Sequence, residues 1–198
     1  MSASRRQLPP LATPPASEAR LLTTQFTKAL YRIHPSAYGA LHFGRSGDGR
    51  FDLPTGKYGV CYLGCHPECC LAETLLHQTP TTRLSWDDLA THTLSVLEPR
   101  KPLLLVDVTS TAGQVRASAD GRLGSGDYLN QCQAYSQAFH ENQAQPDGIL
   151  YRPRHALQSR AVALFERARH KVKVASAHSL TNPEWLLWVL HNDSRTGG

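Results

Sequence analysis

The 198-residue chain contains no apolar run approaching the ~18–20 residues that a membrane-spanning helix needs, so no membrane span is expected. Its first residues, MSASRRQLPPLATPPASEA, carry two arginines but no apolar core, which argues against a secretory signal. Charged residues are sparse at 19% and aromatics make up 8%, yet apolar residues reach 40%, which excludes a wholly disordered chain. Neither G-x-G-x-x-G nor G-x-x-x-x-G-K-[ST] occurs, so both common phosphate loops are missing, and there is no H-E-x-x-H metal helix. The 10 histidines show no metal-ligand spacing, and nothing selects a Cys–His nucleophilic pair. Cysteine is scarce and odd in number: Cys61, Cys65, Cys69, Cys70 and Cys132. That pattern, without a secretion signal, argues for free thiols in a reducing compartment, and a cytoplasmic location is expected. Cys65 and Cys69 lie one helical turn apart with His66 beside them, but a structural zinc takes four ligands, usually as two spaced pairs. No second pair follows, so small buried thiols are expected and no metal.

Lysine and arginine number 21 against 16 Asp and Glu, a net charge of +5. The excess is local. Between Tyr151 and Lys173 stand Arg152, Arg154, Arg160, Arg167, Arg169, Lys171 and Lys173, with Glu166 as their only carboxylate. Such a cluster either attracts an anion (a phosphate, a nucleic acid, an acidic protein) or is a solvated surface strand and helix. A nucleic acid is not expected, because the chain has no aromatic-interleaved basic run and no basic helix with a base-reading face.

Residues 1–16 hold four prolines with Ser, Thr and Ala, and read as a flexible tail ahead of one domain spanning 17–198. A short helix is expected over 17–30 and a strand over 31–34, stopped by Pro35. A loop with four glycines between positions 44 and 56 follows, carrying Arg45 and Arg50; a loop of that length is often functional. Residues 58–63 read as a strand, and Pro67 opens a helix over 67–78. On that helix Cys69, Leu71, Ala72, Leu75 and Leu76 share one arc at 100° per residue, with Glu73 at its border. A weak helix is expected over 86–92, a strand over 103–108, a polar loop over 110–126, and a helix over 127–140 capped by Asp127 or Ser125. Strands then follow at GILY, RAVALF and VKVAS, and Asn182-Pro183-Glu184 starts a final helix into WLLWVL. Interspersed elements with several short late strands predict an α+β domain with a small, partly antiparallel sheet.

Chemistry concentrates in one constellation. Tyr31 and Arg32 lie on the first strand, Arg50 closes the glycine loop, Tyr62 sits on the next strand and Glu73 on the helix after it. Guanidinium forks match phosphate oxygens, an aromatic ring stacks on a flat base, and a carboxylate stabilises an oxocarbenium-like sugar cation. Taken in order, YRIHP, FGRSGDGRFDLP, GVCYLGCHPECCLAETLLH, YLNQCQAYSQAF and DGILYRPRHALQSRAVALF resemble the RES-domain family, over residues 31–165.

The resemblance implies an ADP-ribosyltransferase-like fold and an enzyme that consumes NAD, as substrate rather than cofactor, by hydrolysis or phosphorolysis of the nicotinamide–ribose bond. It also implies a bacterial toxin with an antitoxin partner. Carried over, it makes Arg32, Tyr62 and Glu73 the catalytic set. Arg32 and Arg50 match the family's two arginines, contacts to the NAD phosphates or ribose; Tyr31, Arg152, Arg154 and Ser159 stand beside Arg50 as further substrate-binding candidates. The chain departs from the family at its serine, where the stretch Tyr151-Arg152-Pro153-Arg154 places Pro153. Three other readings stand beside NAD cleavage: transfer of ADP-ribose to a protein or nucleic acid, a nucleic-acid-binding module, and a catalytically silent interaction domain.

Overall fold

The computed structural model describes residues 10–76, 85–125, 129–185 and 187. In chain order the elements are β1 (Thr23–Phe26), β2 (Leu30–Pro35), β3 (Val60–Gly64), α1 (Pro67–Leu71) and a π turn (Ala72–Leu76). Then come α2 (Trp86–Ala90), β4 (His92–Pro99), β5 (Leu103–Asp107), α3 (Thr111–Arg116), α4 (Arg122–Ser125) and α5 (Leu129–His140). After these come β6 (Gly148–Tyr151), β7 (Ala161–Phe165), a 3-10 turn (Glu166–Lys171) and β8 (Val172–Ser179).

Among the described residues the strands form one sheet of eight in the order β1-β5-β6-β7-β3-β2-β4-β8. β5 and β6 run parallel, joined by a crossover that holds α3, α4 and α5, as parallel neighbours require. The other neighbouring pairs are antiparallel. This is the expected α+β class. β6 and β7 are buried at every residue, because apolar clusters cover both faces of the sheet. One cluster gathers Phe51, Tyr135, Phe139 and Phe165 under α5, and the other gathers Leu30, Leu63, Leu97 and Leu105. β2 meets β3 at a single register position, Tyr31 opposite Gly64, while it pairs with β4 over its whole length. The sheet therefore parts between β2 and β3, beside the place where α1 begins.

Several expected elements differ. The segment expected to be helical over 17–30 contains strand β1 instead: its β-branched Thr23 and Thr24 pair with Val106 and Leu105, and this long-range pairing overrides the helical pattern. β4 was not foreseen; its His92–Pro99 segment is wedged between β2 and β8. The stretch 110–126, expected as a loop, holds α3, capped by Ser110 Oγ accepting from Gly113 N at 3.1 Å, and α4. Asp127 as a cap lies outside the described residues. Residues 183–185 are helical, and most of WLLWVL lies outside the described residues. Within the expected tail, Leu11 is buried in the core, and its N–H donates to Gln131 Oε1 on α5 at 2.6 Å. Among the described residues no helix is long and apolar enough to cross a membrane.

Candidate active site

Pro67 opens α1, whose Cys69, Cys70 and Leu71 are buried against the sheet. Gly64 permits the tight entry, since a Cβ there would stand 2.6 Å from Cys70 Sγ. Of the helix expected over 67–78, residues 77 and 78 lie outside the described residues; after Leu71 the α-helix widens into the π turn, which changes the spacing of the side chains there. Glu73 lies in that turn, half-buried, and its Oε1 accepts from His155 N at 2.6 Å. The carboxylate lines a cleft of about 60 Å³ together with Arg32, Tyr62, Cys69, Tyr151 and Ala161. Among the described lining residues Glu73 is the only carboxylate.

Tyr62 borders the cleft, and its hydroxyl is committed elsewhere. It donates to Asp52 Oδ1 at 2.9 Å and accepts from Phe51 N at 2.8 Å. Burial and the Asp52 charge push this phenol well above its usual range, so it stays protonated. Asp52 closes the bend by accepting from Gly49 N through Oδ2 at 3.0 Å. The glycine loop, which contains Arg50, is thus fastened to β3. Its other side is fastened to α5: Gln133 Nε2 donates to Gly47 O at 2.7 Å and to Gly49 O at 3.2 Å, and Ser136 Oγ donates to Phe51 O at 2.6 Å. Arg50 Nη1 points at Cys132 Sγ, 3.6 Å away, and the Arg50 charge acts on the Tyr151 hydroxyl. Arg50 therefore sits beside the Tyr151 wall without lining the Glu73 cleft itself. Asp52, Gln133 and Ser136 were missed by sequence reading; the available signal was an aspartate three residues after a glycine in a turn-rich loop.

Arg32 borders the cleft, but its guanidinium is turned to the far side of the sheet. Nη1 donates to Ala40 O at 2.6 Å, His42 O at 2.9 Å and Cys61 Sγ at 3.2 Å. Neighbours on a strand project to opposite faces, so a group seated on Cys61 is on the face away from Tyr62. In this structure Arg32 anchors the chain at residues 40–42 rather than facing Glu73. Tyr31 joins the apolar cluster of Ile33, Cys70 and Leu71 and does not line the cleft.

The other candidates fall outside the Glu73 cleft. Arg152 and Arg154 are exposed, and Arg152 donates to Thr109 O at 3.4 Å and Leu157 O at 3.3 Å. Ser159 lies in the turn before β7, its N–H on Ala156 O at 2.8 Å. Pro153 is buried two residues past the end of β6 and two before the His155 N–H that holds Glu73. The basic stretch is not one anion-binding face. Lys171 pairs with buried Asp147 at 2.8 Å and Lys173 with Glu98 at 3.0 Å, Arg167 donates to His140 O at 2.6 Å, and Arg169 lies over the Phe43 ring.

All five cysteines are free and buried. Burial pushes Cys61 and Cys65 up to about 11 and Cys70 up to about 12, and raises Cys69 further, so these thiols are not nucleophilic thiolates near neutral pH.

A protein-family model described as the RES domain matches residues 29–188. No curated protein matches the chain. Among solved structures, the crystal structure of the M. tuberculosis MbcT–MbcA toxin–antitoxin complex is similar in fold. The TM-score is 0.69 at 17% sequence identity, and the match covers 84% of this chain and 91% of that one.

Proposed function

The chain belongs to the RES-domain family, and from that premise we propose that it consumes NAD by breaking the bond between nicotinamide and ribose. The observation that carries this reading is Glu73, the one carboxylate among the described residues lining a cleft walled by Tyr62 and Tyr151, oriented there by a backbone N–H.

In the reaction, the C1′–N bond breaks and its electron pair leaves with nicotinamide, which becomes neutral. The ribosyl carbon takes on oxocarbenium character, which the half-buried Glu73 carboxylate stabilises by its charge. Water then adds to the cation and gives up a proton, or a phosphate oxygen adds in its place. The products are ADP-ribose in the first case and its 1″-phosphate in the second. Tyr62 supplies ring surface and holds the loop, since its hydroxyl is bound to Asp52 and Phe51 N. The family serine is replaced by Pro153, and the orienting hydrogen bond to the glutamate comes from the main chain at His155.

The structural neighbour is a toxin in complex with its antitoxin, and we extend that arrangement to this chain: a toxin kept silent by an antitoxin partner. Purified protein incubated with NAD releases free nicotinamide, and omitting or adding inorganic phosphate distinguishes hydrolysis from phosphorolysis. A folded wild-type protein that releases none overturns the reading. Production of the chain alone in a bacterial host is expected to deplete NAD and arrest growth, whereas the Glu73→Gln variant does neither.

A further inference from the structure

Across Tyr151 from the Glu73 cleft lies a second, larger cleft of about 410 Å³. That volume falls in the range of small-ligand sites, ~300–1,000 Å³. The Glu73 cleft, about 60 Å³, has room for a ring-sized group and not for a dinucleotide. Tyr151 lines both clefts.

The second cleft is framed by closely seated backbone. A Cβ on Gly124 of α4 would stand 2.2 Å from Arg152 O, and a Cβ on Gly113 of α3 would stand 1.8 Å from Asp107 O. Only glycine lets both helices approach the ends of β5 and β6 so closely. The lining combines apolar Val108 and Leu157 with Arg122, Arg152 and Asp120. Arg122 clasps Asp120, its Nε 3.0 Å from each carboxylate oxygen and its Nη2 2.7 Å from Oδ2. Among the described lining residues that leaves Arg152, whose bonds at 3.4 and 3.3 Å run to carbonyls of Thr109 and Leu157, as the excess positive charge.

We propose that this second cleft is the nucleoside-diphosphate subsite. It takes the ADP half of the dinucleotide whose nicotinamide ribose lies at Glu73. Arg152 meets the pyrophosphate, Leu157 and Val108 cover the base, and Asp120 accepts from ribose hydroxyls. The inference rests on the NAD reading for the identity of the whole substrate, but the subsite has its own test.

That test is calorimetric titration of ADP into wild-type protein and into Arg152→Glu, Leu157→Asp and Lys57→Glu variants, with the KM and kcat for NAD measured alongside. Arg152 and Leu157 are exposed, Leu157 at 55%, so neither substitution disturbs the core. Lys57, near Glu141 on the surface, carries the same charge reversal away from the cleft. ADP is expected to bind the wild type and Lys57→Glu alike. Arg152→Glu and Leu157→Asp are each expected to weaken it by about tenfold or more and to raise KM more than they lower kcat. A wild type that ignores ADP at millimolar concentration, or variants that bind it normally, overturns the subsite even if nicotinamide is released. Loss of ADP binding in the variants of a protein that releases no nicotinamide upholds the subsite and overturns the cleavage reading. Should Arg152→Glu fail to fold, Leu157→Asp decides alone.

Discussion

At the scale of single residues, the site is a set of commitments made by hydrogen bonds. Glu73 keeps one oxygen on the His155 N–H. Glu73→Gln is nearly isosteric but loses the charge that stabilises a sugar cation, so kcat for nicotinamide release falls by a factor on the order of 10²–10³ while the far-UV spectrum is unchanged. A folded glutamine variant with wild-type turnover would remove Glu73 from the chemistry. Tyr62→Phe strips the partner from Asp52 Oδ1 and from Phe51 N, both in the loop that carries Arg50. Leaving such buried groups unpaired costs about 1–3 kcal/mol, which urea denaturation reads directly. KM for NAD should rise with it as the loop loosens. Pro153→Ser is expected to change turnover by less than about tenfold, because a hydroxyl adds a single hydrogen bond and the main chain at His155 already orients Glu73. A silent wild type switched on by the serine would show that the family hydroxyl is indispensable.

At the scale of elements, α5 organises both the loop and the N-terminal segment. Gln133 and Ser136 face the glycine loop, while the Tyr135 hydroxyl shares its one hydrogen between Ala12 O, 2.9 Å away, and Ser118 O. Leu11 inserts beside them into the core. Leu11→Ala should therefore destabilise the protein by about 2–3 kcal/mol, visible as a lower denaturation midpoint. If the midpoint does not move, the segment before residue 17 is idle, as its proline-rich composition first implied. The π turn at Ala72–Leu76 is the other decisive element, because a regular α-helix would have carried Glu73 to a different azimuth.

At the scale of the molecule, stability is tied to pH through half-buried His140 at the end of α5 and buried His34 on β2. His140 stacks on Tyr58, ring centroids 3.8 Å apart, and stands edge-on to Phe165. Burial first, and then the nearby Arg167 cation, lower it to about 4; Glu141 opposes and Lys57 adds to the shift. The unfolded chain takes up this proton near ~6.5, whereas the folded one refuses it until about pH 4. The stability tied to neutral His140 is thus complete above pH ~6.5, falls as pH drops through that value and stops falling near 4. Burial lowers His34 as well, in the same direction. Melting temperatures from pH 8 down to 5 should fall, and His140→Phe should fall less steeply, with the residual slope left to His34. Equal slopes would show that His140 titrates freely in the folded state.

The sequence by itself determined the α+β class, most of the strands, the start of α1 and the family, because those rest on local signals: apolar runs in β5, β6 and β7, Pro67 at a helix start, and residue types at fixed spacing. It also named Glu73 and Tyr62, which share a cleft in the structure. Only the tertiary structure decided where side chains point and whom they meet. β1 became a strand because β5 offered it a partner across eighty residues of chain, a pairing no local window contains. Arg32 turned to Ala40 and His42 because strand alternation put it on the face away from Tyr62. The basic cluster dispersed into ion pairs and carbonyl contacts, since a strand, a turn and a second strand carry its members to different sides of the fold. Asp52 gained its place for the same reason: the Tyr62 hydroxyl reaches it only once loop and strand are packed together.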